Sequence, residues 1–282
     1  AHLSSNDGGH DLELHRAEQL FLRKFAADIS QDDYEFIQGT PQSIYNILPT
    51  SSVIPRPTCQ LIAHLEGPDE WESQENFLNH ACGRSLSTYP LLSGNKKEGS
   101  PICDTFQYRL YNNRAIFAVS DGCNWGIRPK LASRTANSTF VQYMEDHQGE
   151  IHTVREAGHL LLRATSHAHT EIKKQAKSLR QESGSTTLFG GILLELSERV
   201  TFDEFEEDMN WVFVCVNIGD CKAFCVRHST REVEEISVCN RAISTDASDP
   251  GGRLGGNGIP DLRNLELFCY PCKEGDIILV CS

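Results

Sequence analysis

From residue 100 to the end of the chain, apolar positions fall into short runs interrupted by two long periodic stretches. Residues 114–119 form one such run, closed by Ser120-Asp121-Gly122, which predicts a strand ending in a turn. Two helices are predicted next, over 129–147 and 152–180, the first opening on Pro129 in a position that suits a first helical turn. In the second, Val154, Leu161, Leu162 and Ala168 can supply an inward face. Lys173, Lys174 and Lys177 load its C-terminal half with the charge that the helix dipole favours. Strands are predicted over 186–196, 211–217, 222–227, 232–238 and 276–281. One strand, two helices and then a run of strands predict an α+β layered fold.

Residues 1–99 read differently. They hold six of the eleven prolines, and Pro41, Pro49, Pro55, Pro57 and Pro68 break up any long element. A helix is predicted over 10–28, where Leu14, Phe21 and Phe25 share a face that Leu12 and Leu20 broaden. Residues 69–75 are acidic, and Ser93-Gly94-Asn95 is a turn followed by Lys96, Lys97 and Gly99. A boundary is therefore expected near Gly99, with 1–99 a region of unassigned role and 100–282 a second domain. The opening Ala1-His2-Leu3 carries no basic-then-apolar leader and reads as lacking a signal peptide. The closing residues 277–282 read as the middle of a buried strand, so a C-terminally truncated domain is expected.

Charge and cysteine content then narrow the function classes. Lys and Arg number 26 against 39 Asp and Glu, a net charge of −13, which argues against a general nucleic-acid binder. The same balance is permissive toward divalent cations. No run of roughly 18 apolar residues occurs, so no membrane span is expected. Eleven cysteines, several in apolar runs, read as buried reduced thiols in an intracellular setting, cytoplasmic or nuclear. The six acids between residues 198 and 208 read as a solvated hairpin loop, with a metal or docking role as the alternative.

Candidate chemistry gathers at strand ends. Cys103-Asp104-Thr105-Phe106 precedes a strand-like run, and Asp121-Gly122 closes the next strand. Ser183-Gly184-Ser185-Thr186-Thr187 opens another, and Asn217-Ile218-Gly219-Asp220 closes one further on. Carboxylates beside exposed backbone carbonyls are hard-oxygen ligands suited to Mg²⁺ or Mn²⁺, although Asp-Gly and Gly-Asp are equally ordinary turn pairs. Cys269-Tyr270-Pro271-Cys272 lacks a second ligand pair and reads as a loop with two thiols rather than a zinc site. His159, His167 and His169 read as helix-surface residues, and the glycine-rich stretch 249–258 as a loop. Trp125 reads either as core packing or as a cleft wall.

This succession resembles the metal-dependent PPM-type serine/threonine protein phosphatases, the 2C class. Ala118-Val119-Ser120-Asp121-Gly122 is similar to that family's strand and metal-binding Asp-Gly, and Ser183-Gly184-Ser185-Thr186-Thr187 to its Gly-Ser-Thr strand. Residues 214–223 are similar to its N-x-G-D-S-R-A hairpin, and 275–282 to the strand leading to a second Asp-Gly. The resemblance covers about residues 100–282. It implies a β-sandwich flanked by helices, with two Mg²⁺ or Mn²⁺ ions activating a water that attacks a phosphoester of a phosphoprotein substrate. On this resemblance Asp121 bridges the metals, with the Gly122 carbonyl and Asp104 as further ligands and Asp220 at an additional, weaker metal. Arg253 and Lys97 are the candidate phosphate-contacting cations.

The chain also departs from the family. Cys103 stands where Glu or Gln is usual, and Cys123-Asn124-Trp125-Gly126 replaces the usual x-G-G after Asp-Gly. The upstream phosphate-gripping Arg has no clean counterpart. Ser282 falls where a second Asp-Gly would follow, so these residues alone are expected to be poorly active. The alternative is a pseudophosphatase, the same fold serving as a binding or scaffold module.

Overall fold

The computed structural model describes residues 55–57, 61–67, 76–77, 81–87, 89–92, 97–201, 208–237, 246, 249–256, 258 and 260–282. The predicted helix over 10–28, the acidic stretch 69–75, Lys96 and most of the six-acid loop lie outside the described residues.

The largest element is an antiparallel sheet of six strands. In chain order these are β1 (Leu61–Gly67), β4 (Thr105–Tyr111), β5 (Arg114–Ser120), β7 (Leu188–Thr201), β8 (Asp208–Ile218) and β12 (Glu266–Cys272), and they adjoin in that same order. The short β2 (Asn76–Phe77) and β3 (Cys82–Gly83) form a ribbon of their own. β5 alternates buried and half-buried residues, as a strand covered more fully on one face should. β8 is buried at Val212, Phe213, Val214, Cys215 and Val216 alike, because layers cover both of its faces.

Helices α1 (Ile127–His147) and α2 (Val154–Ser178) lie on one side of this sheet. The Phe140 ring of α1 sits over Gly190, while the next residue, Gly191, faces Phe117 and Phe213 on the opposite side. α2 begins with a capping box. Thr153 accepts the Glu156 N–H at 3.2 Å, and the Glu156 carboxylate accepts the Thr153 N–H at 2.9 Å. On the Phe213 side lies a three-stranded sheet of β9 (Lys222–Val226), β10 (Val233–Glu235) and β13 (Ile277–Cys281), ordered β10-β9-β13. Arg227, just past β9, reaches across to the Tyr270 hydroxyl at 2.7 Å, and Tyr270 pairs with Phe213 in the register. The architecture is the expected α+β sandwich with helices on an outer face. A last ribbon pairs β6 (Ser185–Thr186) with β11 (Leu254–Gly255). Among the described residues no helix is long and apolar enough to cross a membrane.

Three expectations are corrected. β1 lies before the boundary expected at Gly99, yet it pairs with β4 from Leu61 to Gly67. Asn113 and Arg114 also donate to the Arg56 and Pro55 carbonyls, at 2.7 and 2.6 Å. The described part of the proline-rich region thus completes the edge of the large sheet. Second, Cys269-Tyr270-Pro271-Cys272 is not a loop but most of β12. An edge strand tolerates Pro271 because one of its sides needs no N–H. Its two cysteines, an odd number of residues apart, face opposite sides of the sheet and cannot chelate together. Third, His169 is buried rather than on the helix surface, and its Nδ1 accepts the Gly255 N–H at 3.0 Å.

Candidate metal-ligating site at the sheet end

The antiparallel register brings the two leading carboxylates together. Thr105 at the start of β4 faces Ser120 at the end of β5. One step further along this register, Asp104 stands opposite Asp121. Two acids directly opposite each other repel when both are ionised. Burial, followed by the charge of Asp104, its hydrogen bond and the charge of Asp220, pushes the Asp121 carboxyl up to about 7.

Buried polar bonds fix the backbone around the pair. The Asp121 N–H donates to Thr187 Oγ1 at 2.9 Å, and the Asp121 carbonyl accepts the Thr187 N–H at 2.9 Å and the Thr186 hydroxyl at 2.8 Å. Beneath, Ser120 Oγ donates to Asn137 Oδ1 at 2.6 Å, and Asn137 Nδ2 donates to Thr105 Oγ1 at 2.8 Å. One residue of α1 thus clamps both strand ends. The Gly122 N–H donates to the Cys103 carbonyl at 3.3 Å. N–H and C=O of one extended residue point the same way, so the Gly122 carbonyl also faces the Cys103–Asp104 segment. A Cβ on Gly122 would lie 2.6 Å from the Pro129 carbonyl oxygen, so only glycine lets α1 approach this closely.

Asp220 occupies the turn after β8, where Gly219 takes φ +114. The Asn264 side chain holds that turn. Its Oδ1 accepts the Gly219 N–H at 3.0 Å, and its Nδ2 donates to the Gly219 and Pro250 carbonyls at 2.7 and 3.2 Å. Thr187 packs against Gly219 from the other side, so one residue touches both carboxylate-bearing turns.

Among the described residues, no three carboxylate, thiol or imidazole groups converge closely enough to hold one ion. What the structure offers is the Asp104–Asp121 pair, the facing Gly122 carbonyl, and Asp220 within electrostatic range. These are hard oxygen donors in a place where two carboxylates cannot comfortably ionise side by side. A divalent cation such as Mg²⁺ or Mn²⁺ suits that donor set, because it relieves the repulsion and draws further ligands from water. The neighbouring thiols do not suit nucleophilic work. Burial pushes Cys103 and Cys221 up, and carries Cys123 to about 11.

The two candidate cations differ in placement. Arg253 pairs across a bridge with Asp261, its Nε 4.0 Å from an Asp261 oxygen. Its charge acts on Cys123, which also feels Asp121 and Asp220, so Arg253 stands near the carboxylates. Lys97 lies in the turn bridged by Leu91 and Lys97, and its ammonium donates to the Ser87 carbonyl. Thr187, Asn137 and Asn264 were not among the expected site residues. A polar Ser133–Asn137 pair, four residues apart on an otherwise apolar helix face, was the available clue to the clamp.

In its helix-flanked β-sandwich and the order of its elements, the chain resembles the PPM-type phosphatase fold. No family model matches the chain. Over 226 residues it is 27% identical to the PP2C-like domain-containing protein CG9801 of Drosophila melanogaster, a match covering 78% of this chain and 30% of that protein. The chain thus spans less than a third of that relative's length. Among solved structures, the serine/threonine phosphatase PstP/Ppp of Mycobacterium tuberculosis aligns over 79% of each chain, at 15% identity and a TM-score of 0.46. The S. agalactiae serine/threonine phosphatase aligns over 78% of this chain and 79% of its own, at 12% identity and a TM-score of 0.48.

Proposed function

We propose that this chain is the phosphatase unit of a metal-dependent protein serine/threonine phosphatase, acting on phosphoserine and phosphothreonine in intracellular phosphoproteins. The observation that carries the reading is the Asp104–Asp121 pair, opposed by register, half-buried and mutually repulsive. On this reading Asp104, Asp121 and the Gly122 carbonyl hold the metal, and Asp220 adds a carboxylate for a further ion. A divalent cation bound there supplies positive charge to the phosphate oxygens and an activated water for attack at phosphorus. Thr186 and Thr187 keep the Asp121 backbone from shifting, and Asn264 keeps Asp220 in its turn. Arg253 meets the phosphate. Thiols held protonated at Cys103, Cys123 and Cys221 leave none of these three neighbours as a nucleophile, which favours direct attack by water.

Two measurements test this. Calorimetric titration of residues 1–282 with Mn²⁺ is expected to show binding that Asp121→Asn abolishes. In the full-length protein, Mn²⁺-dependent release of phosphate from a phosphothreonine peptide is expected to fall at least about 100-fold in the same variant. Absence of Mn²⁺ binding would overturn the metal site. Binding without turnover in the full-length protein would turn the reading to a pseudophosphatase.

A further inference from the structure

Twelve large apolar side chains stand exposed among the described residues. Half of them, Leu86, Tyr89, Leu91, Leu92, Trp125 and Ile127, lie on the two segments that lead into Asp104 and out of Asp121. Two of them, Tyr89 and Trp125, are in contact, and exposed apolar side chains that adjoin mark a contact surface.

Trp125 and Tyr89 are 55% and 45% exposed. Their rings meet edge to face, with centroids 5.4 Å apart and planes at 78°. Trp125 Nε1 donates to the Tyr89 hydroxyl at 3.3 Å. Gly99, at φ +76, packs beneath both rings, and a Cβ there would lie 3.0 Å from Tyr89 and 3.5 Å from Trp125 Nε1. The pair is therefore held in one arrangement before anything lands on it, which lowers the ordering cost of binding. Its place is equally defined. Trp125 is four residues past Asp121, and at roughly 3.6 Å per residue the two backbones are at most about 14 Å apart. That is the reach of about four residues of an extended peptide.

We propose that the Tyr89–Trp125 pair is a substrate-docking surface. It receives an apolar side chain of the phosphoprotein within about four residues of the phosphorylated serine or threonine. The proposal rests on the phosphatase reading, because it takes the phosphate to lie at the Asp104–Asp121 end. The occupant is the substrate rather than a second copy of this chain because the pair stands at most about 14 Å of backbone from Asp121, within reach of the residues that flank a phosphate held there.

The test uses full-length protein with Mn²⁺ and fluorescently labelled peptides bearing a non-hydrolysable phosphonate in place of the phosphate. One peptide carries Leu at the flanking positions, and the other carries Ser there. Wild-type protein is expected to bind the Leu peptide about tenfold more tightly, as befits an aromatic contact. Trp125→Ala is expected to erase that difference, and Trp125→Phe to keep most of it. Tyr89→Ala, which removes the ring that Trp125 meets edge to face, should behave like Trp125→Ala. Equal wild-type affinities, or a difference that survives Trp125→Ala and Tyr89→Ala, would overturn the docking surface. So would self-association in sedimentation that Trp125→Ala abolishes, since the surface would then serve a second copy. Hydrolysis is read in parallel on the same two peptides carrying phosphothreonine, and turnover there with equal phosphonate affinities would sink docking alone. No hydrolysis with the tenfold difference intact would sink the phosphatase reading and leave the docking surface standing.

Discussion

Strand β9 joins two charged clusters, one buried and one half-buried, that solve the same problem in opposite ways. At one end, Arg227 is matched within the chain. Its Nη1 donates to Asp276 at 2.9 Å and to the Pro271 carbonyl at 3.1 Å, and its Nη2 to Tyr270 at 2.7 Å. The guanidinium lies 4.8 Å from the Tyr270 ring centre, and Glu234 is 3.4 Å from Nε. The Arg227 and Asp276 side chains are 5% and 1% exposed, and Asp276 also accepts the N–H groups of His228 and Lys273. At the other end, two residues before β9, Asp220 adds its charge to the Asp104–Asp121 pair, where burial and like charge both drive Asp121 toward its neutral form. A buried charge answered by its own chain serves architecture. A half-buried carboxylate pair pressed by a third calls for a cation from outside.

The contrast can be broken at either end. Arg227→Met should have the largest effect. Removing one partner strands Asp276 in the interior, and chemical denaturation should show a loss of about 3–5 kcal/mol. An unchanged midpoint would deny the balanced cluster its structural role.

Asp121→Asn should act in the opposite direction when metal is chelated. The folded carboxyl titrates near 7, above its ordinary 3.8, so its contribution to stability is present at low pH and is lost as pH rises through 7. Metal-free wild-type protein should therefore lose about 2–3 kcal/mol between pH 5 and pH 8, and the variant should lose little. A wild-type profile as flat as the variant's would remove the repulsive pair.

Asn264→Ala should cost about 2 kcal/mol, because three buried hydrogen-bonding partners lose their mate. It should also weaken any Mn²⁺ site that depends on Asp220, while the Asp104–Asp121 site titrates as before. Equal weakening of both would mean that the two turns are not separately held.

The smallest effect sharpens the picture at the loop that carries Arg253. Burial, and to a lesser degree Lys173, lowers His169 to about 4, so its contribution is present above pH 6.5 and is lost as pH falls toward 4. In an Asp121→Asn background, free of the opposing titration, stability should drop by about 1 kcal/mol between pH 6.5 and pH 5.5. His169→Gln should remove that drop, as read by denaturant midpoints at the two pH values.

Much of this fold is legible in the chain. Strands β5, β7, β8, β9 and β13 and both helices fall within a few residues of their apolar runs, with β7 and β8 reaching further into the hairpin. β12 escaped because Pro271 and two cysteines read as a loop, and only its place at the sheet edge makes that proline harmless. β1 escaped because the prolines around it signal breakage, whereas its partner β4 supplies the hydrogen bonds that make it a strand. The acids of the site were legible one at a time, as turn residues at strand ends. Their meeting was not, because Asp104 and Asp121 are seventeen positions apart and only the register sets them face to face. Thr187 was visible as part of Ser183-Gly184-Ser185-Thr186-Thr187, but its contact with both turns was not. Trp125, undecided between core and cleft wall, stands half exposed.

The sequence by itself determined both helices and the order of β5, β7, β8, β9 and β13 around them, the turn chemistry that places Asp121, Gly122, Gly219 and Asp220, and the acidic hard-oxygen character of the candidate ligands. These follow from local rules: periodicity, glycine at positive φ, and side-chain type. Only the tertiary structure decided that Asp104 opposes Asp121, that Asn264 and Thr187 pin their supports, that Arg227 is matched within the chain, and that Tyr89 meets Trp125. Each of these is a contact between distant positions, fixed by strand register and layer packing, which no local pattern encodes.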